Sequence, residues 1–370
     1  LPNGYYEVRE GNFTGSAGAM AIYGVDGKNP AFTFDGTTFT QIPSIITPDA
    51  PTHLDILPSQ ILLLSFRGGS FLYSAVGDPF KFSSVDGGGE IAVGQEITGI
   101  EVQADATTAI FTRNKSYVLY GSSAADFQLK SLALRSGALE KTIQSMGSSI
   151  YLDDRGLTRL ERVQQFGDFE GATISQKVQT LLTQRLQNVK ASMIKREKNQ
   201  YHLYFSDQTA LTLTLYGSEV MGYTQLRLGF TPHCAWSGEN AQGKESCYIG
   251  GEDGYVYQMD SGNSFDGAVY ASSFQTGFMS GGKPEYKKRW RKLVIEMQSV
   301  TQVDAQYKCY YDYADPNIPL SDTLLGSGAT WDLNEWNNAL WGGASTSWSD
   351  LYIDGVSRNM AVYMRSESDY

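Results

Sequence analysis

The stretch ILLLSFRGGSFLY, residues 61–73, contains the pattern that decides the fold. An apolar run, Ile61–Phe66, is followed by the turn residues Gly68 and Gly69, and then by a second run, Ser70–Tyr73. Apolar and aromatic runs on either side of a glycine turn are typical of a β-hairpin. The stretch therefore predicts two antiparallel strands joined by a tight turn.

The same arrangement recurs along the chain. Hairpin turns are predicted near residues 36, 68, 114, 155, 207 and 254, with spacings of 32, 46, 41, 52 and 47 residues. A central hairpin repeated about every 40–50 residues is typical of the blades of a β-propeller. The unequal spacing also fits a β-sandwich of similar hairpins. We predict an all-β chain whose main part is a β-propeller of about five or six blades.

One segment departs from the strand pattern. Its apolar residues follow helical spacing at Ile174, Val178, Leu181, Leu182, Leu186 and Val189. Thr173 and Gln176 have the spacing of a capping box, which begins a helix. We predict one inserted helix near residues 174–189, with its apolar face packed on the sheets.

Composition excludes several classes of protein. The 370 residues carry a net charge of −11 with a pI of about 4.8. Free-standing nucleic-acid-binding proteins are normally basic, so the composition argues against that class. Three cysteines without a C-x-x-C motif predict neither a disulfide framework nor a zinc finger. No apolar run is long enough to span a membrane. Because residue 1 is Leu and no signal stretch follows, we expect the numbering to begin inside a longer or processed chain.

Metal and nucleophile motifs are weak. The histidines His53, His202 and His233 form no H-E-x-x-H motif, and His233 with Cys234 and Cys247 is the only local His/Cys group. The sequence contains neither a G-x-S-x-G elbow nor a P-loop. We therefore predict no enzyme: no catalytic residues, no cofactor and no metal site.

Acidic residues raise the question of glycoside hydrolysis, which uses two carboxylates about 5–9.5 Å apart. The candidates are Asp78, Asp153, Asp154, Glu252 and Asp253. Most of them fall in predicted hairpin turns, where aspartate is favoured by turn geometry alone. The turn interpretation is preferred.

The predicted domain organisation has three parts: an N-terminal arm at 1–20, propeller blades at 21–280 and a C-terminal β region at 281–370. The last part is either a separate small domain or a set of strands that completes the propeller. It opens with a linker rich in glycine and proline and then becomes strongly basic.

The basic stretch has six Lys or Arg among the ten residues 283–292: Lys283, Lys287, Lys288, Arg289, Arg291 and Lys292. Three interpretations are open: a solvated strand end, contact with DNA phosphates, or docking on an acidic neighbouring subunit. Trp290 lies among these residues and is a candidate interface anchor.

Four of the six tryptophans cluster within 18 residues: Trp331, Trp336, Trp341 and Trp348. Asparagine, glycine and serine separate them, which fits neither a regular strand nor a helix. Two interpretations are open: local loop packing, or a contact between subunits, where tryptophan is enriched.

Several motifs, in this order, resemble the tail nozzle proteins (tail tubular protein B) of short-tailed, podovirus-type bacteriophages, and the related packaged-DNA stabilisation or head-closure proteins. The Ser-x-x-Gly-Asp-Pro-x-x-Phe element at 74–82 carries most weight, and in that family it follows a strand of a propeller blade. The C-terminal Trp-Asp-x-x-x-Trp run at 331–336 is also similar. The other matching segments are 29–32, 34–39, 72–73, 117–122, 126–127, 151–156 and 166–169.

The resemblance implies a structural virion protein of the tail, assembled in the cytoplasm of the host bacterium. It implies a homo-oligomeric ring, most commonly a hexamer, that forms the tail channel and helps to retain and eject DNA. The implied partners are the portal, the adaptor or gatekeeper ring and genomic double-stranded DNA bound without sequence preference, and tail fibres or spikes are compatible with it. Nozzle proteins are often much longer than 370 residues, so the resemblance implies that this chain would lack inserted domains such as those that hold tail fibres.

Two other functions are compatible with the same pattern. One is a propeller lectin or glycosidase acting on glycans of the host surface, which would need carboxylates or aromatic residues converging on one propeller face. The other is a bacterial propeller, unrelated to phages, that binds a protein partner.

Overall fold

A computed structural model shows an all-β protein made of two compact units, Leu1–Met259 and Asp260–Tyr370. The structure describes residues 5–16, 19–133, 135–161, 173–217, 219–240, 242–262, 264–299, 304–313, 321–325 and 345–368.

The first unit contains six antiparallel sheets. The first has β1 (Glu7–Gly11), β2 (Ala21–Val25), β3 (Ala31–Phe34) and β4 (Phe39–Ile42). The second has β5 (His53–Leu57), β6 (Ile61–Phe66), β7 (Ser70–Tyr73) and β8 (Gly89–Ala92). The third has β9 (Ile97–Val102), β10 (Thr108–Thr112), β11 (Ser116–Tyr120) and β12 (Gln128–Ala133).

The remaining three sheets follow the same plan. The fourth has β13 (Gln144–Met146), β14 (Ser148–Asp153) and β15 (Gly156–Arg159). The fifth has β16 (Val189–Lys195), β17 (Gln200–Phe205), β18 (Thr209–Tyr216) and β19 (Glu219–Arg227). The sixth has β20 (Pro232–Glu239), β21 (Glu245–Gly251) and β22 (Val256–Gln258).

Each of the six sheets pairs only strands that are consecutive in the chain. The first strand of each sheet contacts the first strand of the next: β1 with β5, β5 with β9, β9 with β13, β13 with β16, and β16 with β20. Sequential antiparallel sheets whose first strands meet around a centre are the blades of a β-propeller. The predicted fold class is confirmed, with six blades among the described residues.

All six predicted turns are hairpin turns of the structure, between β3 and β4, β6 and β7, β10 and β11, β14 and β15, β17 and β18, and β21 and β22. In five sheets the turn joins the second and third strands, but in the first sheet it joins the third and fourth. The equivalent turn of the first sheet lies at 26–30, where Asp26 Oδ1 accepts hydrogen bonds from the backbone of Lys28 (2.9 Å) and Asn29 (2.8 Å). This shift explains the short first spacing.

Five apolar cores join the six sheets in chain order. The core between the first two contains Val25 and Leu64, and the next contains Leu63 and Ile110. Phe111 and Tyr151 join the third sheet to the fourth. Two further cores join the fourth sheet to the fifth and the fifth to the sixth.

Strand β6 shows why a strand inside a blade can be almost continuously apolar. Leu62, Leu64 and Phe66 pack toward the first sheet, whereas Ile61 and Leu63 pack toward the third. Because successive side chains of a strand point to opposite faces, a strand buried on both sides is a continuous apolar run. Complete burial of each leucine contributes about 1.5–3 kcal/mol.

The predicted helix is confirmed as α1 (Gln179–Arg185), flanked by 3₁₀ turns at Gln176–Val178 and Leu186–Asn188. Leu182 is buried in the core between the fourth and fifth sheets. The predicted capping box is wrong: the first 3₁₀ turn begins after Ser175, which makes no side-chain capping bond. Thr173 instead forms an isolated β-bridge with Thr158, so its backbone extends the sheet.

The second unit contains a four-stranded sheet and a long two-stranded ribbon. The sheet has the order β23 (Tyr270–Gln275), β28 (Met360–Ser368), β25 (Asp304–Tyr311), β26 (Ser321–Leu325), and the ribbon pairs β24 (Lys288–Ser299) with β27 (Ser345–Ser357). Tyr307, Ile353 and Val362 form its core. This unit begins at Asp260, before the predicted boundary at 280, and β1 falls within the segment 1–20 predicted as an arm.

Candidate functional site

Five charged or titratable side chains from the first strands of three sheets meet in the first unit. They are Glu7 and Arg9 of β1, His53 and Asp55 of β5, and Glu101 of β9, here called the axial charge cluster. Next to the cluster, the Nζ of Lys141 lies 3.9 Å from the ring centroid of Tyr5. Tyr5 comes just before β1 and Lys141 just before the fourth sheet. Because this contact joins the first sheet to the fourth, it lies near the centre of the unit.

Arg9 links three sheets. Its Nε donates to Asp55 Oδ1 at 3.3 Å, and its Nη2 donates to Glu101 Oε2 at 3.1 Å. Asp55 Oδ2 also accepts a bond of 2.7 Å from the backbone N–H of Val102 in the third sheet. A planar guanidinium with several donors suits such a bridge, and a lysine would offer only a point charge.

Glu7 and His53 form the second pair of the cluster. His53 Nδ1 lies 2.9 Å from Glu7 Oε2, and Arg9 Nη2 lies 3.7 Å from Glu7 Oε1. His53 and Asp55 are almost completely buried, while about a third of the Arg9 side chain is exposed. The cluster is therefore a partly hydrated network rather than a dry core.

Burial and neighbouring charges set the ionisation of the cluster. Burial raises the pKa of Glu101 to about 8, and the charge of Asp55 adds to this, against the opposing effect of Arg9. Burial also raises the pKa of Asp55. Burial would lower the pKa of His53, but the hydrogen bond and charge of Glu7 outweigh it and raise that pKa. Burial likewise opposes ionisation of Glu7, yet His53 and Arg9 together lower its pKa.

The arrangement cross-links sheets and is not built like a cation site. Its carboxylates are engaged by Arg9 and His53, and no group of three or more His, Cys, Asp or Glu in the described part of the chain is placed to hold a metal ion. His233 and Cys234 are exposed and Cys247 is buried.

The candidate glycosidase carboxylates lie in separate turns or form ion pairs. Asp78, Asp153 and Asp253 each accept a backbone N–H two residues later, at 3.0, 2.7 and 3.1 Å. Asp154 pairs with Arg113, and Glu252 Oε1 lies 2.9 Å from Lys190 Nζ. The hydrogen bond from Tyr257 further lowers the pKa of Asp253. These contacts fit the turn interpretation.

The predicted basic stretch lies at the start of the ribbon in the second unit. Arg289 Nε lies 3.2 Å from Asp354, and Lys292 Nζ lies 2.6 Å from Asp350, both on β27. Lys288 Nζ donates to the backbone carbonyls of Lys283 and Tyr286. The remaining members, Lys283, Lys287 and Arg291, are exposed. Acidic partners on the adjacent strand thus offset part of the positive charge.

The structure uses one predicted interface tryptophan internally. Trp290 is half-buried against the core of the second unit, and its Nε1 donates to Ser357 Oγ at 2.8 Å. Trp348 lies in β27 opposite Glu296. Trp331, Trp336 and Trp341 lie outside the described residues, as does the matching segment 166–169.

The element at 74–82 forms a compact loop directly after β7. Ser74 Oγ accepts the backbone N–H of Leu62 at 2.9 Å, Ala75 and Asp78 form a β-bridge, and Phe82 is buried in the core between the first two sheets. Gly77 has a φ of 74°, which glycine adopts without strain. The residues of this element therefore build the blade.

Two sheet faces of the first unit are only partly covered. The open face of the first sheet comprises Val8, Glu10, Ile22, Gly24, Phe32, Phe34, Phe39 and Gln41, which the strand register places on one side. The open face of the sixth sheet comprises Cys234, Trp236, Gly238, Ser246, Tyr248, Gly250, Val256 and Gln258. Phe39 is 60% exposed and Trp236 is 47% exposed.

Aromatic rings organise both open faces. Phe32 lies over Gly24, stacks on Phe39 with centroids 5.0 Å apart, and meets Tyr6 edge-on at 6.3 Å. Trp236 lies over Gly238 and stacks with Tyr248 at 6.1 Å. A Cβ on either glycine would come within 2.3 Å of the ring above it.

Sequence reasoning missed both the axial charge cluster and the open faces. The cluster was detectable, because Arg9, Asp55 and Glu101 follow one another at intervals of 46 residues, close to the spacing of the hairpin turns. Equivalent positions on successive first strands face the same centre. The open faces have no such signal, since their residues alternate like those of any buried sheet.

Among the residues that the structure describes, no helix is both long and apolar enough to cross a bilayer. No family model matches the chain, and no curated protein sequence matches it.

Among solved structures, the chain is similar to BBS1N in complex with ARL6DN, with 12% identity, a TM-score of 0.45, and 69% of this chain and 81% of that one covered. It is similar to virginiamycin B lyase from Staphylococcus aureus, with 9% identity, a TM-score of 0.42, and 69% and 88% covered. The computationally designed Ika8 protein has 10% identity, a TM-score of 0.40, and 64% and 67% covered. Likenesses at this level carry no argument about function.

Proposed function

We propose that this chain is a structural protein of a bacteriophage virion, a subunit of an oligomeric ring in a short tail. In this role it forms part of the nozzle or head-to-tail connector, lines the route of the DNA and helps to retain and eject it. The proposal includes a homo-oligomeric ring, most commonly a hexamer, and neighbours above it that belong to the portal and adaptor.

The observation that carries the proposal is the loop at 74–82. Its sequence is the strongest part of the resemblance to tail nozzle proteins, and its residues hold a blade together through Ser74, Asp78 and Phe82. The element at 151–156 behaves similarly, because Asp153 caps its turn and binds Arg155 at 2.9 Å. The residues that this chain shares with tail nozzle proteins stabilise its blades, and this supports a shared structural role.

We propose no catalytic activity. The exposed basic residues Lys283, Lys287 and Arg291 are the members of the basic stretch best placed to meet DNA phosphates or an acidic neighbour, because Arg289 and Lys292 already face aspartates. In a chain of net charge −11, most of the remaining surface would repel DNA and limit sticking during ejection.

Immunogold electron microscopy tests the proposal on the particle that carries this protein. Antibodies against the purified chain, with preimmune serum as the control, are expected to label one vertex at the short tail. Absence of label from intact and from tail-exposed particles would overturn the proposal. The purified protein would then be screened against host glycans for the lectin or glycosidase alternative.

A further inference from the structure

One edge of the sheet in the second unit is open to a further strand. Strand β23 (Tyr270–Gln275) lies at the end of that sheet and pairs with β28 along its whole length, without a bulge. All six of its residues are exposed, and among the described residues no strand pairs with its other side. The strand belongs to residues 267–282, the longest uncharged run of the chain, which also contains no proline.

The outer edge strands of the six blades differ from β23. Natural sheets resist the addition of a further strand by charged side chains, by proline or by short length at their edges. The blades have Pro43 directly after β4, Glu90 in β8, Lys130 in β12, Arg159 in β15, Glu219 and Arg227 in β19, and a length of three residues in β22. Because β23 has none of these features, its edge is available for pairing.

The edge of β23 presents a regular set of main-chain groups. The N–H of Thr276, directly after β23, donates to the carbonyl of Val362 in β28 at 2.9 Å. Hydrogen bonding to one neighbour and to the other alternates along an antiparallel strand, so Ala271, Ser273 and Gln275 direct their N–H and C=O groups to the free side. Such a row of unpaired groups is a template for another strand.

We infer that β23 pairs with β23 of a second copy of this chain, antiparallel about a two-fold axis at Ser273. This register places Ala271 opposite Gln275 of the second copy, and it uses all three residues that direct their main-chain groups outward. The occupant must itself be a straight, uncharged and unpaired edge. Of the edges compared above, β23 alone meets this requirement, so the strand is complementary to itself.

The aromatic side chains favour the same register. Tyr270 is 42% exposed and Phe274 is 57% exposed, and both lie on the face of β23 that carries Ser272. In the two-fold pairing, Phe274 lies opposite Ser272 of the second copy. Tyr270 and Phe274 of that copy then occupy the two diagonal positions, which are within reach of an aromatic ring. The pairing therefore covers apolar surface that one copy leaves exposed.

This contact goes beyond the proposed ring. Two copies related by a two-fold axis use the same surface, whereas neighbours in a cyclic ring meet through two different surfaces. The pairing of β23 is therefore a separate contact between copies, and it does not depend on the proposed function.

Substitutions at Ser273 test the inference, with the full chain studied by sedimentation velocity from low to high micromolar concentration. Ser273→Pro removes an N–H that the sheet of one copy does not use, so it blocks strand addition at an edge where proline is tolerated. Ser273→Lys places a charge at the centre of the pairing. Both variants are expected to lose the concentration-dependent association of the wild type. Ser273→Thr, which keeps the N–H and suits a strand, is the matched control and should associate like the wild type.

Hydrogen exchange gives a second measurement that does not depend on the proline variant folding. The amides of residues 270–276 should exchange more slowly at high protein concentration in the wild type, and this protection should be absent from Ser273→Lys. A wild type that stays monomeric at high concentration would overturn the inference. Assemblies of equal mass in the wild type and in the folded Ser273 variants, or exchange at 270–276 that does not change with concentration, would overturn it as well.

Discussion

Both faces of the first sheet carry large apolar side chains, yet these are covered to very different extents. Val25 and Ile42 on one side are completely buried against the second sheet, while Phe34 and Phe39 on the other side are exposed. The same four strands supply both sides, so local sequence does not distinguish them. The alternation of apolar residues along these strands therefore predicts which faces can be buried. Whether a face is buried depends on whether a neighbouring sheet packs on it.

The largest expected effect compares a residue packed against the covered face of the first sheet with a residue on its other face. Leu64→Ala removes a completely buried side chain facing the first sheet, and should lower the free energy of unfolding by about 2–5 kcal/mol. Phe39→Ala loses mainly its stack on Phe32, about 0.5–1.5 kcal/mol. Urea denaturation at low protein concentration measures both. Equal losses would mean that the open face is covered in solution.

The next effect concerns how much the ion pairs of Arg9 contribute to the stability of the first three sheets. Arg9→Met leaves Asp55 and Glu101 without the guanidinium that joins them, and should cost about 1–3 kcal/mol. Arg67→Met, at an exposed turn of the second sheet, is the matched control and should change stability by less than about 0.5 kcal/mol. Denaturant midpoints report the difference. A neutral Arg9→Met variant would show that the guanidinium contributes nothing measurable to joining the first three sheets.

The last contrast is a change of stability with pH. The pKa of Glu101 is raised from 4.5 to about 8 in the folded protein, so its protonated form is favoured by folding. The resulting stabilisation is complete below about pH 4.5 and is lost as the pH rises through about 8. The raised pKa of His53 acts in the same direction above its ordinary value of 6.5.

Thermal unfolding at pH 5.5, 7 and 8.5 should therefore show a Tm that falls more steeply for the wild type than for Glu101→Gln. Glu90→Gln, an exposed position on β8, should keep the wild-type slope. Parallel slopes for wild type and Glu101→Gln would mean that Glu101 is ionised in the folded protein.

The turns were the most predictable part of the fold. Asp153, Asp207 and Asp253 each accept a backbone N–H two residues later, so the residue type and the turn geometry are linked locally. In the first sheet two such turns occur, at Asp26 and Asp35, and local chemistry cannot rank them. Only the pairing of β2 with β3 identifies the turn equivalent to those of the other blades.

The parts that sequence could not supply depend on distant packing. Thr173 and Gln176 have capping spacing, but the bridge from Thr173 to Thr158 takes that backbone into a sheet. Arg9 and Glu101 are 92 residues apart, and their contact exists only because β1, β5 and β9 converge. Local propensity is overridden where tertiary neighbours offer a better set of hydrogen bonds.

Sheets made only of consecutive strands also have a consequence for synthesis on the ribosome. Each blade can complete its backbone hydrogen bonds as soon as its last strand has emerged, because no blade of the first unit waits for a strand from a later one. Arg9 is the exception, since its partner Glu101 is translated 92 residues later. Before the third blade emerges, the guanidinium of Arg9 has only Glu7 of its own strand and Asp55 of the second blade as partners, so its network of ion pairs is complete only when all three blades are present.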